Sequence, residues 1–155
     1  MRVTSMVAGL ALVLAACGGE GAGNQATTTD TAATAAPAAG APAATGATHN
    51  VDMVLADGQY RFVPEQLTVK AGDVIQYHNR SGGPHNVAFW ADSIPAGGAE
   101  AIQITDQMAP LTSQMVVEQD AVITVTVAAN APTGEYRYTC QPHSAMGMHG
   151  RMTVQ

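Results

Sequence analysis

From Asn50 onward, apolar and polar residues alternate in short runs broken by turn formers, the period-two pattern of half-buried β-strands. The clearest run is Ile123-Thr124-Val125-Thr126-Val127, apolar to one side and threonine to the other. Val51 to Leu55 reads as a first strand, ended by Asp57-Gly58, and Tyr60 to Val63 as a second, stopped by Pro64. Leu67 and Val69 share one face of the next strand, before an Ala71-Gly72-Asp73 turn. Ile75 and Tyr77 then face inward while Gln76 and His78 face solvent, and Val87 and Phe89 line another inward face. Thr133-Gly134 reads as a turn, and a last strand is expected from Gly150 to Gln155. Tyr136 and Tyr138 are assigned the face of Cys140's neighbours rather than that of Cys140 itself. Between Ala91 and Met115 the pattern is weak, so loops, a short helical turn and at most one irregular strand are expected there. About eight short strands with no long helical pattern predict an all-β sandwich.

The chain ahead of this domain has a different composition. Arg2 precedes an apolar run from Met6 to Leu14, then small residues, the pattern of an export signal. The run is shorter than the ~20 apolar residues a membrane-spanning helix needs. Leu14-Ala15-Ala16-Cys17 resembles the bacterial lipobox, which predicts removal of residues 1–16 and lipidation of Cys17. The alternative is an ordinary signal peptide cleaved nearby. Residues 17–48 are dominated by Ala, Thr, Gly and Pro and lack aromatic or large aliphatic side chains. They cannot bury enough apolar surface to offset backbone ordering and are expected to form a disordered tether, open to glycosylation. The folded domain is then 49–155, with His49 incidental at its edge.

The net charge of −6 makes a nucleic-acid partner improbable, and no basic run suggests a membrane-surface patch. Acidity suits a soluble monomer docking on a basic partner, but it also simply maintains solubility. There are two cysteines, Cys17 and Cys140. With Cys17 lipidated, Cys140 is left as a free thiol in an oxidising compartment, where it needs a metal or a reactive role.

Cys140 lies in Cys140-Gln141-Pro142-His143-Ser144-Ala145-Met146-Gly147-Met148, with another imidazole upstream in Gly83-Pro84-His85-Asn86. Taken singly, each has an ordinary reading: a buried small hydrophobe, two loop histidines, and one methionine among Met146, Met148 and Met152. Together, two His, a Cys and a weak axial Met match the trigonal site that holds electron-transfer copper. The thiolate and thioether suit Cu(I), and the imidazoles suit both oxidation states.

The segment from Tyr60 to the C-terminus resembles plastocyanin and its bacterial and archaeal relatives among the cupredoxins. The matching stretches are Tyr60-Arg61-Phe62-Val63-Pro64, Val69-Lys70-Ala71-Gly72-Asp73, Gly83-Pro84-His85-Asn86-Val87-Ala88-Phe89, Ile94-Pro95-Ala96-Gly97, Gly134-Glu135-Tyr136, Cys140 to Met148, and Gly150-Arg151-Met152-Thr153-Val154. The resemblance implies a Greek-key cupredoxin sandwich with one copper held by His85, Cys140, His143 and axial Met148. It implies that Asn86 ties the two ligand loops together beside the sulfur, and that electrons pass at His143 through a patch that Pro84, Pro142 and Met146 could form. Pro142 and Pro84 would also stiffen the loops beside each imidazole. Thr139 stands where plant plastocyanins have a docking tyrosine, His149 replaces an apolar residue, and side-face acids are reduced to Asp92 and Asp106.

These readings predict a non-enzymatic one-electron carrier in the cell envelope. Its partners would be redox proteins such as a cytochrome complex, a soluble cytochrome or a terminal oxidase or reductase, with membrane attachment through the N-terminal lipid. The alternative is a copper protein for storage, delivery or resistance, which the Met- and His-rich Met146-Gly147-Met148-His149 end would serve. A multicopper enzyme needs a second domain and a further histidine cluster, and His49, His78 and His149 show no such spacing.

Overall fold

Alternating β-branched and aromatic residues form two packed sheets in the computed structural model, which describes residues 46–155. The first sheet contains β1 (Thr48–Ala56), β2 (Gln59–Val63), β4 (Val74–Asn79), β6 (Ile102–Ile104) and β9 (Val122–Val127), ordered β2-β1-β4-β9-β6. The second contains β3 (Gln66–Val69), β5 (Ala88–Phe89), β7 (Gln107–Ala109), β8 (Thr112–Ser113), β10 (Gly134–Thr139) and β11 (His149–Val154), ordered β3-β11-β10-β5-β8-β7. The β1–β4 and β3–β11 pairs are parallel and the others antiparallel. This is the all-β sandwich that the alternation predicts.

Period two decides what enters the core. Ile75 and Tyr77 of β4 pair with Val125 and Ile123 of β9, and all four are buried. Between the sheets, Phe62 meets Tyr138 edge-on, at a centroid distance of 4.9 Å and an angle of 76°. Tyr77 meets Tyr138 at 5.4 Å and 82°. Edge-to-face contacts of this kind place the positive rim of one ring on the negative face of the next. Asp57 and Gly58 both have positive φ, 52° and 74°, so the Asp-Gly pair closes the β1–β2 hairpin as a two-residue turn.

Four expectations need correction. The weak stretch from Ala91 to Met115 holds the expected helical turn (Ala91–Ser93, a 3-10 helix) but also β6, β7 and β8, giving eleven strands among the described residues rather than about eight. Those three strands are two or three residues long, too short to display a period. Tyr136 and Tyr138 lie on the same face as Cys140, because all three hold even positions on one extended segment, and all are fully buried. β11 begins at His149 rather than Gly150. His49 is not incidental: it lies within β1, and its Nε2 is 2.7 Å from Asp73 Oδ2.

Asp73 also accepts the N–H groups of Ala47 at 2.8 Å and Lys70 at 2.9 Å, fastening the start of β1 to the β3–β4 turn. His78 is half-buried and bonds Asn50 on β1, away from the cysteine. The signal sequence, Cys17 and most of the expected tether lie outside the described residues.

Candidate metal centre

Cys140 leaves the end of β10 fully buried and caps a 3-10 helix, Gln141–Met146. Its loop is wound back on itself. The N–H of His143 donates to Cys140 O at 3.1 Å, the N–H of Met148 to His143 O at 3.2 Å, and the N–H of Cys140 to Met148 O at 3.1 Å. Gly147 makes the reversal, at φ 83°, where a side chain would be strained. Three backbone hydrogen bonds thus hold Cys140, His143 and Met148 in one small loop.

His85 is fixed by different means. It follows β4 through the Arg80–Pro84 loop and makes a reciprocal backbone bridge with Val116, with both N···O distances 2.9 Å. The two loops are then joined by Asn86 and Gln141. The Asn86 side chain donates to Gln141 Oε1 at 2.7 Å and accepts from Gln141 N–H at 2.8 Å. This supports the expected tying role of Asn86, with Gln141 as the partner.

The result is convergence on the sulfur. His143 Nδ1 lies 3.4 Å and His85 Nδ1 3.5 Å from Cys140 Sγ, and the three potential ligand atoms all lie within 4.8 Å of one another. All three residues are buried. Met148 is also fully buried and Met152 belongs to β11, whereas Met146 is 56% exposed. Among the three methionines, Met148 alone is both enclosed and part of the cysteine loop. The structure therefore brings His85, Cys140 and His143 together, with Met148 tied to two of them through its backbone.

Burial sets the electrostatics. It pushes the Cys140 thiol up, against opposing N–H contacts from Asn86 and His143. Burial, helped by the neighbouring His143, pushes His85 down to about 4, and burial alone lowers His143. The metal-free site is thus a neutral thiol and two neutral imidazoles. One thiol and two imidazoles crowded together without a counter-charge make a poor structural core and a good soft-metal site, and the donor set fits copper. His85, Cys140 and His143 could hold it, with Met148 as an added thioether.

The remaining expected residues sit around this set. Pro84, Pro142 and Met146 are exposed on the ligand loops. His149 is half-buried, with its Nδ1 3.1 Å from Thr139 Oγ1 and its ring 5.2 Å from that of Trp90. Reading the sequence did not find Tyr60, whose ring stacks on His143, or Ser81, whose Oγ is 3.0 Å from His85 Nε2. Tyr60 carried a signal, an aromatic directly beyond the Asp-Gly turn, but nothing local says what it covers.

Comparison with known proteins agrees with this geometry. The family described as copper binding proteins, plastocyanin/azurin family, matches residues 42–155. Plastocyanin of Nostoc punctiforme is 36% identical over 108 residues, covering 70% of this chain and 74% of the relative. Plastocyanin of Ulva prolifera is 39% identical over 100 residues, 64% of this chain and 91% of the relative. Among solved structures, the oxidised form of plastocyanin from Dryopteris crassirhizoma shares the fold with a TM-score of 0.54 at 22% identity, over 68% of this chain and 99% of that one.

Proposed function

This chain belongs to the plastocyanin/azurin family of copper-binding proteins, and from that premise we propose that it is a one-electron carrier of the cell envelope. In this reading His85, Cys140, His143 and Met148 would hold the copper. Copper bound there supplies a one-electron couple. Every other requirement falls on the chain itself. The buried thiol of Cys140 would have to lose its proton for the sulfur to bind metal, so loading would be coupled to proton release. The Asn86–Gln141 bonds and the wound Cys140–Met148 loop hold in place the side chains that would bind the metal.

The observation that carries the reading is the approach of two imidazole Nδ1 atoms to one buried sulfur. Electrons would pass at the His143 end, where exposed Pro84, Pro142 and Met146 form the contact surface. The partners would be other redox proteins, such as a cytochrome complex, a soluble cytochrome or a terminal oxidase or reductase, met by a monomer. Leu14-Ala15-Ala16-Cys17 supports attachment through a lipid on Cys17, with the residues ahead of β1 as the tether. The mass of the N-terminal peptide from a bacterial membrane fraction tests that attachment, with Cys17→Ala as the control.

The exposed Met146 thioether beside the buried set supports a second reading, copper storage or delivery. Repeated reduction with ascorbate and oxidation with ferricyanide separates the two. A carrier keeps its copper through the cycles, whereas a delivery protein loses it to a Cu(I) chelator on reduction.

A further inference from the structure

Ser81 stands four residues before His85, and its Oγ lies 3.0 Å from His85 Nε2. We propose that Ser81 is a positioning residue that fixes the tautomer and ring rotation of His85. This inference rests on the copper reading above and names the device that prepares one of its ligands.

A neutral imidazole carries a single N–H, and the partner of one nitrogen decides what the other can do. His85 has no solvent exposure, and its Nδ1 points at Cys140 Sγ, where a metal needs a lone pair. The proton must therefore sit on Nε2, and a buried N–H needs an acceptor. A serine hydroxyl can accept while sending its own hydrogen elsewhere. Ser81 has such outlets: it is exposed to solvent, and Met53 O lies 3.5 Å from its Oγ. The opposite arrangement, with Ser81 donating to Nε2, would place the proton on Nδ1, between imidazole and sulfur, and block the metal.

The loop holds Ser81 independently of its hydroxyl. The N–H groups of Arg80 and Ser81 both donate to Met53 O, at 3.0 and 3.3 Å, and Asn79 Nδ2 donates to Gly83 O at 3.0 Å. Removing Oγ therefore takes away the acceptor without releasing the backbone that carries it.

The test compares wild type, Ser81→Ala and Ser81→Thr in the full chain, with unfolding midpoints of the metal-free proteins as the folding control. Long-range proton–nitrogen NMR of the metal-free protein reads the tautomer directly, and competition with a chelator reads Cu(I) affinity. Wild type and Ser81→Thr should show His85 protonated on Nε2. Ser81→Ala should show a mixed tautomer and bind Cu(I) about 10–100-fold more weakly, the usual cost of removing a ligand's hydrogen-bond partner. A blue wild type accompanied by a Ser81→Ala variant with unchanged nitrogen shifts and affinity overturns the role of Ser81 alone. A wild type that forms no blue Cu(II) protein overturns the copper reading beneath it.

Discussion

The imidazole of His143 lies flat against the ring of Tyr60, with centroids 3.7 Å apart and planes 9° from parallel. The same Tyr60 ring presents itself to His85 at 5.7 Å and 62°, so one aromatic from the first hairpin braces both histidines. Stacking of this kind contributes about 0.5–1.5 kcal/mol beyond area burial. Tyr60→Leu should leave the fold intact and weaken Cu(I) binding about three- to tenfold, measured by chelator competition. An unchanged affinity would mean that the cysteine loop alone holds His143.

Asn86 joins the ligand loops through two hydrogen bonds, and it is fully buried. Asn86→Ala strips a partner from the backbone N–H of Gln141 and should cost about 2–3 kcal/mol of metal-free stability, read as a shift in the denaturant midpoint. The same variant should alter the visible spectrum of the copper protein, because losing both bonds frees the two ligand loops to shift relative to each other.

Gly150 pairs with Tyr138 across β10 and β11, and a side-chain carbon at that position would fall on the Tyr138 ring. Tyr138 is locked among Phe62, Tyr77 and Phe89 and cannot move aside. Gly150→Ala should therefore destabilise the domain by about 3 kcal/mol, seen as a lower melting temperature.

Buried histidines and one buried carboxylate give the metal-free protein a pH profile with two steps. His85 titrates near 4 when folded, against an ordinary value of 6.5, so the unfolded chain takes up that proton first. Stability is then complete above about pH 6.5 and declines towards pH 4, by up to ~3 kcal/mol. Burial acts to raise Asp73, but the Lys70 N–H, the His49 side chain and the Ala47 N–H outweigh it and hold the carboxyl below its ordinary 3.8. Its contribution persists above that value and is lost only at lower pH, as the folded group protonates. Urea midpoints across pH should show both steps, with His85→Gln shrinking the upper one, to which the lowered His143 also contributes, and Asp73→Asn removing the lower.

Much of this was legible in the chain because it is local. The Cys140–Met148 spacing, the Asp57-Gly58 turn and the alternation of β4 and β9 each lie within a few consecutive residues. What stayed hidden is tertiary. Tyr60 on His143, Gln141 on Asn86, Ser81 on His85 and His49 on Asp73 are side-chain meetings that no spacing rule encodes, except that Ser81 and His85 share one loop. The β6 strand was missed for a different reason: Ile102-Gln103-Ile104 alternates correctly but is too short to stand out between glycines and prolines.

The central claim is that Cys140 binds copper as a thiolate between two imidazoles, and a visible spectrum tests it most directly. Cu(II) is added to the purified metal-free protein, and the spectrum is taken before and after ascorbate and again after reoxidation. An intense blue band should appear, bleach on reduction, return with copper retained, and never form in Cys140→Ser. A colourless wild type, or a blue Cys140→Ser, would contradict it.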